Sequence, residues 1–299
     1  MSVFARRTVP LLAAILLSIL SNGATFALQV TGLKDPAAFI VDPATGNYFI
    51  SSENGQPTER DNNGFITKLG PDGKIIALKF IEGGAGGVTL HAPQGLAVIG
   101  RTLYVSDIDQ VRRFHADTGR ALGELDLSSV PVDFLTGLAT DGHSTLYIAD
   151  AGADAILQLD TRRSSKPTVL VKDPALAGPH GLAVNPATGA LVVVSWNTGK
   201  ILEVTHEGAV KVLFANSLFN ARFGNLTGVD FDASGNMYVS DFSQGKVIRI
   251  DPNFRFQTIA EFLTTPASLG IDRKNHLILV PYRSGDVAEM NGLGRERQR

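Results

Sequence analysis

Short runs of apolar residues, separated by polar turns, repeat along most of the chain. In each repeat a small residue opens an apolar run, a turn follows, and a second apolar run ends on a small or acidic residue. Such runs, rich in Val, Ile, Leu and Tyr between Gly, Asn and Asp turns, are typical of β-strands. In the fifth repeat, strands are predicted at 226–231, 237–241, 246–251 and 256–262. Because no long helical pattern interrupts the repeats, the sequence predicts an all-β fold.

Six copies of this pattern follow one another. Four clear copies open at Gly95, Gly137, Gly181 and Gly228, and two weaker copies open at Ala38 and Ser268. Successive openings lie 57, 42, 44, 47 and 40 residues apart, and the first interval is long because the polar segment 53–64 is inserted there. A period of about 40–45 residues with three or four strands in each unit is that of a β-propeller blade. We therefore expect residues 28–291 to form a single six-bladed β-propeller.

The last unit lacks a fourth strand. Its strands are predicted at 269–271, 277–280 and 286–290, and the polar segment 292–299 then follows as a C-terminal tail. The apolar segment 28–33 is predicted to supply the missing strand, which closes the ring and removes an exposed sheet edge. The alternative is a frayed N-terminal segment and a last blade of three strands.

The N-terminus has the pattern of an export signal. Arg6 and Arg7 precede an uncharged apolar run of 12 residues, 9–20, which is followed by small and polar residues. Such a run is too short to span a bilayer, which takes about 20 residues. We predict cleavage after Ala27 rather than after Ala24, which removes residues 1–27 and leaves a periplasmic or secreted protein without a membrane span. The alternative is an uncleaved membrane anchor.

The composition narrows the possible chemistry. The 299 residues include no cysteine, which excludes disulfides, thiolate metal ligands and cysteine nucleophiles. Lys and Arg total 27 against 29 Asp and Glu, and the formal net charge of −2 provides no basic surface for nucleic acid. A small molecule or an envelope protein is the expected partner, and the chain is expected to be a monomer.

The residues directly before the opening positions are expected to surround the axis of the ring, where a funnel forms. This column consists of Ala37, Gln94, Thr136, His180, Thr227 and Ala267. We assign Gln94, Thr136 and Thr227 to ligand binding. His180 is the candidate catalytic base, because an imidazole titrates near neutral pH. A structural histidine bonded to a backbone carbonyl is the alternative for His180.

Two further pairs of residues are predicted ligand contacts, one at the end of a second strand and the other just after one. Trp196 and Asn197 combine an apolar ring with polar groups and suit contact with a ligand, with core packing as the alternative for Trp196. Tyr282 and Arg283 offer a stacking ring and an anion-binding guanidinium, with a solvated loop as the alternative.

Three aspartates end second strands. Asp107, Asp150 and Asp241 occupy this position in three of the repeats. A short carboxylate before a tight turn accepts backbone N–H groups, and each repeat can use its own copy in this way. We therefore interpret these aspartates as structural residues rather than as one carboxylate cluster.

The motifs of the repeat resemble those of a known group of propellers. The patterns P-x-G-L-A-V at 93–98, L-Y-V-S-D at 103–107 and G-K-V at 245–247 resemble NHL repeats and senescence-marker-protein/gluconolactonase propellers. The resemblance covers nearly all of 28–291 and implies a six-bladed propeller. The group includes lactonases, phosphotriesterases, lyases and binding scaffolds, and in its metal-dependent lactonases the reaction takes place at a divalent ion, Ca²⁺, Zn²⁺ or Mn²⁺. In that group a glutamate near the end of the first blade holds the ion, and Glu53 is its match here.

Other metal ligands of that type are missing from the axial column. The column contains no carboxylate, whereas Ca²⁺ takes roughly six to eight oxygen ligands, charged ones among them. Two functions remain. One is an exported propeller that binds a small molecule or a partner at its funnel without clear catalytic machinery. The other is a lactonase or ester hydrolase, either metal-dependent or metal-free with His180 as the base.

Overall fold

A closed ring of β-sheets forms the part of the chain that the structure describes. The structure is a computed structural model, and it describes residues 28–163, 166–217 and 221–293. These residues contain twenty-four β-strands in six four-stranded antiparallel sheets, with two single 3₁₀ turns and no α-helix. The predicted export signal and residues 294–299 of the predicted tail lie outside the described residues.

The first strand of the chain belongs to the last blade, and every other blade is continuous in sequence. The first strand is β1 (Leu28–Val30). Blade one consists of β2 (Pro36–Val41), β3 (Tyr48–Ser52), β4 (Phe65–Leu69) and β5 (Ile75–Glu82). Blade two consists of β6 (Pro93–Ile99), β7 (Thr102–Asp107), β8 (Gln110–His115) and β9 (Ala121–Glu124). Blade three consists of β10 (Leu135–Thr140), β11 (Thr145–Asp150), β12 (Ala155–Asp160) and β13 (Thr168–Lys172).

The remaining blades have the same order of strands. Blade four consists of β14 (Pro179–Val184), β15 (Leu191–Ser195), β16 (Ile201–Val204) and β17 (Val210–Phe214). Blade five consists of β18 (Leu226–Phe231), β19 (Met237–Asp241), β20 (Lys246–Ile250) and β21 (Phe256–Ala260). Blade six consists of β22 (Gly270–Asp272), β23 (Leu277–Tyr282) and β24 (Val287–Gly292), with β1 at its outer edge. Six blades of antiparallel strands confirm the predicted propeller.

Burial decreases from the axis of each blade towards its rim. In blade five, β19 is buried along its whole length, whereas β21 is half-exposed or exposed. The third strand β20 alternates, with Lys246 and Arg249 partly exposed and its apolar residues buried. Apolar side chains of neighbouring blades pack against one another, as Val194 of blade four does with Phe231 of blade five. Burial between sheets is therefore what joins the blades.

The innermost strands approach one another so closely that only glycine fits at four of the six opening positions, while Ala38 and Ser268 open the other two blades. A Cβ atom at Gly137 would lie 2.1 Å from the carbonyl oxygen of His180 in the next blade. The corresponding atom at Gly95 would lie 2.4 Å from the carbonyl oxygen of Thr136. Since a Cβ cannot approach backbone oxygen to such distances, these glycines allow the first strands to crowd around the axis.

The N-terminal strand closes the ring, as predicted. β1 pairs antiparallel with β24, with Leu28 opposite Met290 and Val30 opposite Ala288. Leu33, just after β1, is completely buried in the core shared by blades one and six. No helix among the described residues is long and apolar enough to cross a membrane.

The aspartates at the ends of second strands bind backbone, as expected from their position before turns. Asp107 accepts hydrogen bonds from the backbone N–H groups of His91 and Ala92, and Asp150 accepts from that of Phe134. Each carboxylate thereby fixes the loop that leads into the first strand of its own blade. These loops thereby hold the residues at the mouth of the ring in position.

Candidate functional site

A cavity of about 290 Å³ opens at one end of the ring. Every blade contributes to its wall. The lining residues are Ala37, Glu53, Pro57, Gln94, Phe134, Ala151, Gly152, Gly178, His180, Trp196, Asn197, Thr227, Phe242, Ala267 and Arg283. A concave, mainly apolar pocket with a few convergent polar groups is the usual form of a small-molecule site.

Two columns of equivalent residues supply most of this wall. The first is the predicted column before the opening positions, of which all members but Thr136 line the cavity. The second column directly follows the second strands and consists of Glu53, Ile108, Ala151, Trp196, Phe242 and Arg283. All of these except Ile108 also line the cavity. The cavity is therefore a product of the repeat, and its chemistry comes from the members that differ between blades.

His180 has one nitrogen bonded to the backbone and the other without a protein partner. Its Nδ1 lies 2.9 Å from the carbonyl oxygen of Thr227, so Nδ1 carries the hydrogen and donates it. Nε2 then bears the lone pair, and it has no hydrogen-bond partner among the described residues. Burial and the nearby charge of Arg283 lower the pKa of His180 to about 4, although the bond to Thr227 opposes this shift. The imidazole is therefore neutral at pH 7.

Aromatic rings cover the wall beside His180. The ring of Trp196 stacks on His180, with centroids 5.6 Å apart and an interplanar angle of 28°. Phe242 also packs against Trp196, with centroids 5.2 Å apart. Trp196 is half-buried and also lines the cavity, so core packing and exposure to a ligand are combined in one residue. A flat apolar group fits against such a wall.

Glu53 lies opposite, inside a short polar network. Gln94 donates from Nε2 to Glu53 Oε1 at 2.8 Å, and Arg283 donates from Nη2 to Oε2 at 2.5 Å. Burial raises the pKa of Glu53 to about 7, although the charge of Arg283 favours the ionised form. Arg283 remains one quarter exposed, and no other bond of its guanidinium is made among the described residues. Its remaining N–H groups are thus available to a bound acceptor.

The residues at the cavity do not fit the divalent metal that the resemblance implies. Both carboxylate oxygens of Glu53 accept hydrogen bonds, and the guanidinium of Arg283 places a positive charge beside them. Within the described ranges, no group of three or more His, Asp or Glu side chains is arranged to hold an ion. A hard cation at Glu53 would have to displace Arg283 and would find few charged oxygens to complete its shell.

Two of the predicted site residues lie away from the cavity. The hydroxyl of Thr136 donates to the carbonyl oxygen of Pro179 at 2.9 Å. Tyr282 is buried among the apolar residues of blade six, and its hydroxyl donates to Glu289 at 3.1 Å. The second strand of blade six extends to Tyr282, two residues beyond the predicted end, and this places Tyr282 level with Asp241 of blade five. Only the following residue, Arg283, reaches the cavity.

Thr227 and Asn197, two more of the predicted site residues, both line the cavity but differ in whether their side chains are already hydrogen-bonded. The hydroxyl of Thr227 donates to the carbonyl oxygen of Pro266 at 3.0 Å, so this side chain is committed to the fold. Asn197 is exposed, and its backbone N–H donates to the carbonyl oxygen of Ala177. Of this pair, Asn197 alone offers a free side chain to a ligand.

Phe134, Phe242 and Pro57 line the cavity but are not among the predicted site residues. Phe242 directly follows the second strand of its blade, as Trp196 does in blade four. Aligning the ends of the second strands would therefore have identified Phe242 from the sequence. Phe134 and Pro57 lie in loops outside the strands, and no repeat pattern marks them.

No protein-family model matches the chain, and no curated protein matches it in sequence. Among solved structures, a catalytically inactive His-to-Ala variant of virginiamycin B lyase from Staphylococcus aureus, with quinupristin, aligns with a TM-score of 0.61. It is 17% identical over 89% of this chain and 98% of the lyase. A protein of unknown function from Bacteroides thetaiotaomicron aligns with a TM-score of 0.65, at 13% identity over 87% of this chain and 70% of its own.

A streptogramin B lyase structure is similar to the same degree. Its TM-score is 0.60, at 13% identity over 89% of this chain and 97% of the lyase. The TM-scores establish a shared fold, but at such low sequence identity a shared fold does not imply a shared activity. The comparisons and the arrangement of the strands agree on one conclusion: the chain is a β-propeller of six blades.

Proposed function

We propose that this propeller binds a small amphipathic molecule in the cavity at the mouth of the ring. The observation that carries the proposal is the contrast between two walls of one cavity. The stacked rings of His180 and Trp196 form an apolar wall, and the Glu53–Arg283 pair forms a charged one. A ligand with a flat apolar part and one anionic or acceptor group complements both.

Arg283 determines which polar group the ligand carries. Its guanidinium has five N–H donors in a planar fork, and the described residues use one of them. The pairing with Glu53 fixes the guanidinium in the cavity wall before a ligand arrives. A carboxylate is the simplest group that matches such a fork.

Calorimetric titration with benzoate tests this proposal. Benzoate carries the flat ring and the carboxylate, whereas benzyl alcohol lacks the charge and acetate lacks the ring. We expect saturable binding of benzoate, weaker binding of both comparison compounds, and a loss of roughly tenfold or more in affinity in Arg283→Gln. Arg255→Gln removes the same charge from an exposed turn and should leave affinity unchanged. Equal affinity for benzoate in Arg283→Gln would contradict the proposal.

Acid–base catalysis is a second candidate function, and the geometry of His180 favours it. A neutral imidazole whose Nδ1 is fixed by a carbonyl presents Nε2 as a proton acceptor. In hydrolysis of a lactone or ester, Nε2 takes a proton from the water that attacks the carbonyl carbon. The ring C–O bond then breaks, and the leaving oxygen receives the proton. In an elimination, which the name lyase of two structural neighbours suggests, Nε2 takes a proton from the carbon next to the one that bears the ester oxygen. A C=C bond forms between these two carbons, the C–O bond breaks, and the oxygen leaves as part of a carboxylate.

Turnover of an aromatic lactone tests this second candidate. γ-Phenyl-γ-butyrolactone gives a hydroxy acid heavier by one water if it is hydrolysed and an unsaturated acid of unchanged mass if it is eliminated. We expect His180→Asn to lower the rate by about 10²–10⁴ and a chelator to leave it unchanged. His143→Asn, in an exposed turn, is the matched control. An unchanged rate in His180→Asn removes this candidate and leaves the binding function standing.

We also propose that the protein is exported and acts in the periplasm or outside the cell, where a small molecule or an envelope protein is its partner. The apolar run 9–20 behind Arg6 and Arg7 supports export. N-terminal sequencing of the expressed full chain should show that it begins at Leu28. A chain that retains residues 1–27 in the membrane fraction would favour the uncleaved anchor.

A further inference from the structure

A second cavity, of about 330 Å³, lies between blades two and three. Strand register places it towards the end of the ring opposite the first cavity, because its residues lie near the start of β7 and the end of β12. The lining consists of Tyr104, Arg113, Leu125, Leu159, Thr161, Arg162 and Arg163. Three arginines and no carboxylate among these residues make the wall strongly positive in a chain with a net charge of −2.

Two of the arginines are anchored by the fold while donors remain unpaired. Arg113 donates from Nη2 to the carbonyl oxygen of Leu122 at 3.1 Å, and Arg162 donates from Nη2 to Ser144 Oγ at 2.7 Å. Nε of Arg113 is buried and has no hydrogen-bond partner in the part of the chain that the structure describes. A buried donor without a partner is costly, so such a group points to a missing acceptor.

Tyr104 provides an independent sign of the same missing partner. Tyr104, Tyr147 and Tyr238 occupy equivalent positions in the second strands of three blades. The hydroxyl of Tyr147 lies 3.5 Å from Nδ1 of His206, and that of Tyr238 donates to Asp232 at 3.0 Å. Tyr104 is equally buried, yet its hydroxyl bonds to no other described residue and its side chain lines the second cavity.

We propose that the second cavity binds a small oxyanion of the phosphate or sulfate class. Guanidinium groups from a strand of one blade and a turn of the next approach it from different directions, which suits an anion with several acceptor oxygens. The Tyr104 hydroxyl supplies a neutral donor, and Leu125 and Leu159 exclude water and strengthen the electrostatic attraction. Asp160 pairs with Arg163 at 3.3 Å, whereas Arg113 and Arg162 form no ion pair with another described residue.

Calorimetric titration of the full chain with inorganic phosphate tests the site, with sulfate and acetate as comparison anions at one ionic strength. We expect saturable binding of phosphate and sulfate, and weaker binding of acetate. Arg113→Gln and Arg162→Gln should each weaken phosphate binding by roughly tenfold or more. Arg255→Gln, which removes an exposed charge from blade five, should bind phosphate as the native chain does.

Two results distinguish this site from the cavity at the other end of the ring. Arg283→Gln should retain phosphate binding, and the Arg113 Nε–H signal in an NMR spectrum should shift as phosphate is added. If Arg283→Gln abolishes binding, the anion lies in the first cavity and the proposal is wrong. Unchanged affinity in the exposed variant Arg162→Gln, or acetate binding as tight as phosphate, overturns it as well. Since Arg162 is exposed, its variant remains informative even if Arg113→Gln does not fold.

Discussion

Glu53 and Arg283, separated by 230 positions in sequence, form an ion pair with Nη2 and Oε2 2.5 Å apart. Glu53 follows the second strand of blade one, and Arg283 follows the second strand of blade six. The pair therefore joins the two blades at which the ring closes, and it does so in the wall of the cavity. One contact links the stability of the closed ring to the chemistry of the site.

Removing Arg283 should expose the cost of burying Glu53. In Arg283→Met we expect a loss of about 1–3 kcal/mol in the free energy of unfolding at pH 8, because a buried carboxylate loses its partner. The loss should shrink towards pH 5, where Glu53 is protonated in the variant. Urea unfolding at both pH values measures it. The double variant with Glu53→Gln carries no buried charge and should recover most of the stability. Equal losses at both pH values would argue against an ionised Glu53.

The same pair sets the sign of one pH effect in the native chain. The pKa of Glu53 is raised to about 7 by burial, above its value in the unfolded chain. Folding therefore takes up a proton between these two pKa values, and the contribution of Glu53 to stability falls as pH rises through that interval. Glu53→Gln should remove this slope from a series of unfolding curves. A slope that is identical in the variant would assign it to another group.

His180 should remain neutral well below the pH at which an exposed histidine is protonated. Burial lowers its pKa to about 4, so the stability that its neutral form provides is complete above the unfolded pKa and is lost as pH falls towards the folded one. The ring signals of His180 in NMR spectra, assigned by comparison with His180→Asn, should not move between pH 7 and 5.5. A midpoint near the ordinary histidine pKa would contradict the burial of the ring, which is the main cause of the lowered pKa.

The residues that follow β1 should contribute to stability far more than those at its start. Leu33 is completely buried, so Leu33→Ala should lower the free energy of unfolding by about 2–5 kcal/mol. Leu28 is 40% exposed, and Leu28→Ala should cost about 0.5 kcal/mol. Chemical denaturation of the two variants side by side measures the difference. Similar small losses in both would mean that the ring closes without this segment.

Close packing of the first strands predicts a strong effect at one glycine and a weak one at another. In Gly137→Ala the new Cβ would meet the backbone of His180, so we expect a loss of about 1–3 kcal/mol and a displaced imidazole. In Gly285→Ala the nearest atom, Cβ of Tyr282, lies at 3.4 Å, and the loss should be under about 1 kcal/mol. Thermal unfolding compares the two. A tolerated Gly137→Ala would mean that the inner strands are further apart.

The fold could be predicted from the sequence because the same strand pattern occurs six times along the chain. The predicted strands 226–231 and 237–241 coincide with β18 and β19, and 28–33 contains the strand that closes the ring. Alternation and turn residues are local signals, and strands of the propeller pair mainly with their neighbours in sequence. The predicted ends of the outer strands were less accurate: the strand predicted at 256–262 is β21, which ends at Ala260. Exposed edge strands carry little hydrophobic signal to mark where they end.

The site was predicted only in part, because register at the strand ends decides which side chains face the cavity. His180 and Gln94 were found from the first column. A shift of one residue turns a side chain to the opposite face, which is why Tyr282 was assigned to the funnel and lies inside the blade. The Glu53–Arg283 pair joins distant parts of the chain, and no local pattern indicates such a contact.

Fluorescence of Trp196 during a benzoate titration most directly tests whether the mouth of the ring is a ligand site. Trp196 is the only tryptophan of the chain, and it lines the cavity, so its emission reports on occupancy there alone. We predict a saturable change whose midpoint equals the calorimetric dissociation constant and moves to higher benzoate concentration in Arg283→Gln. Benzoate that binds by calorimetry while the emission of Trp196 stays constant would place the ligand elsewhere and contradict the proposed site.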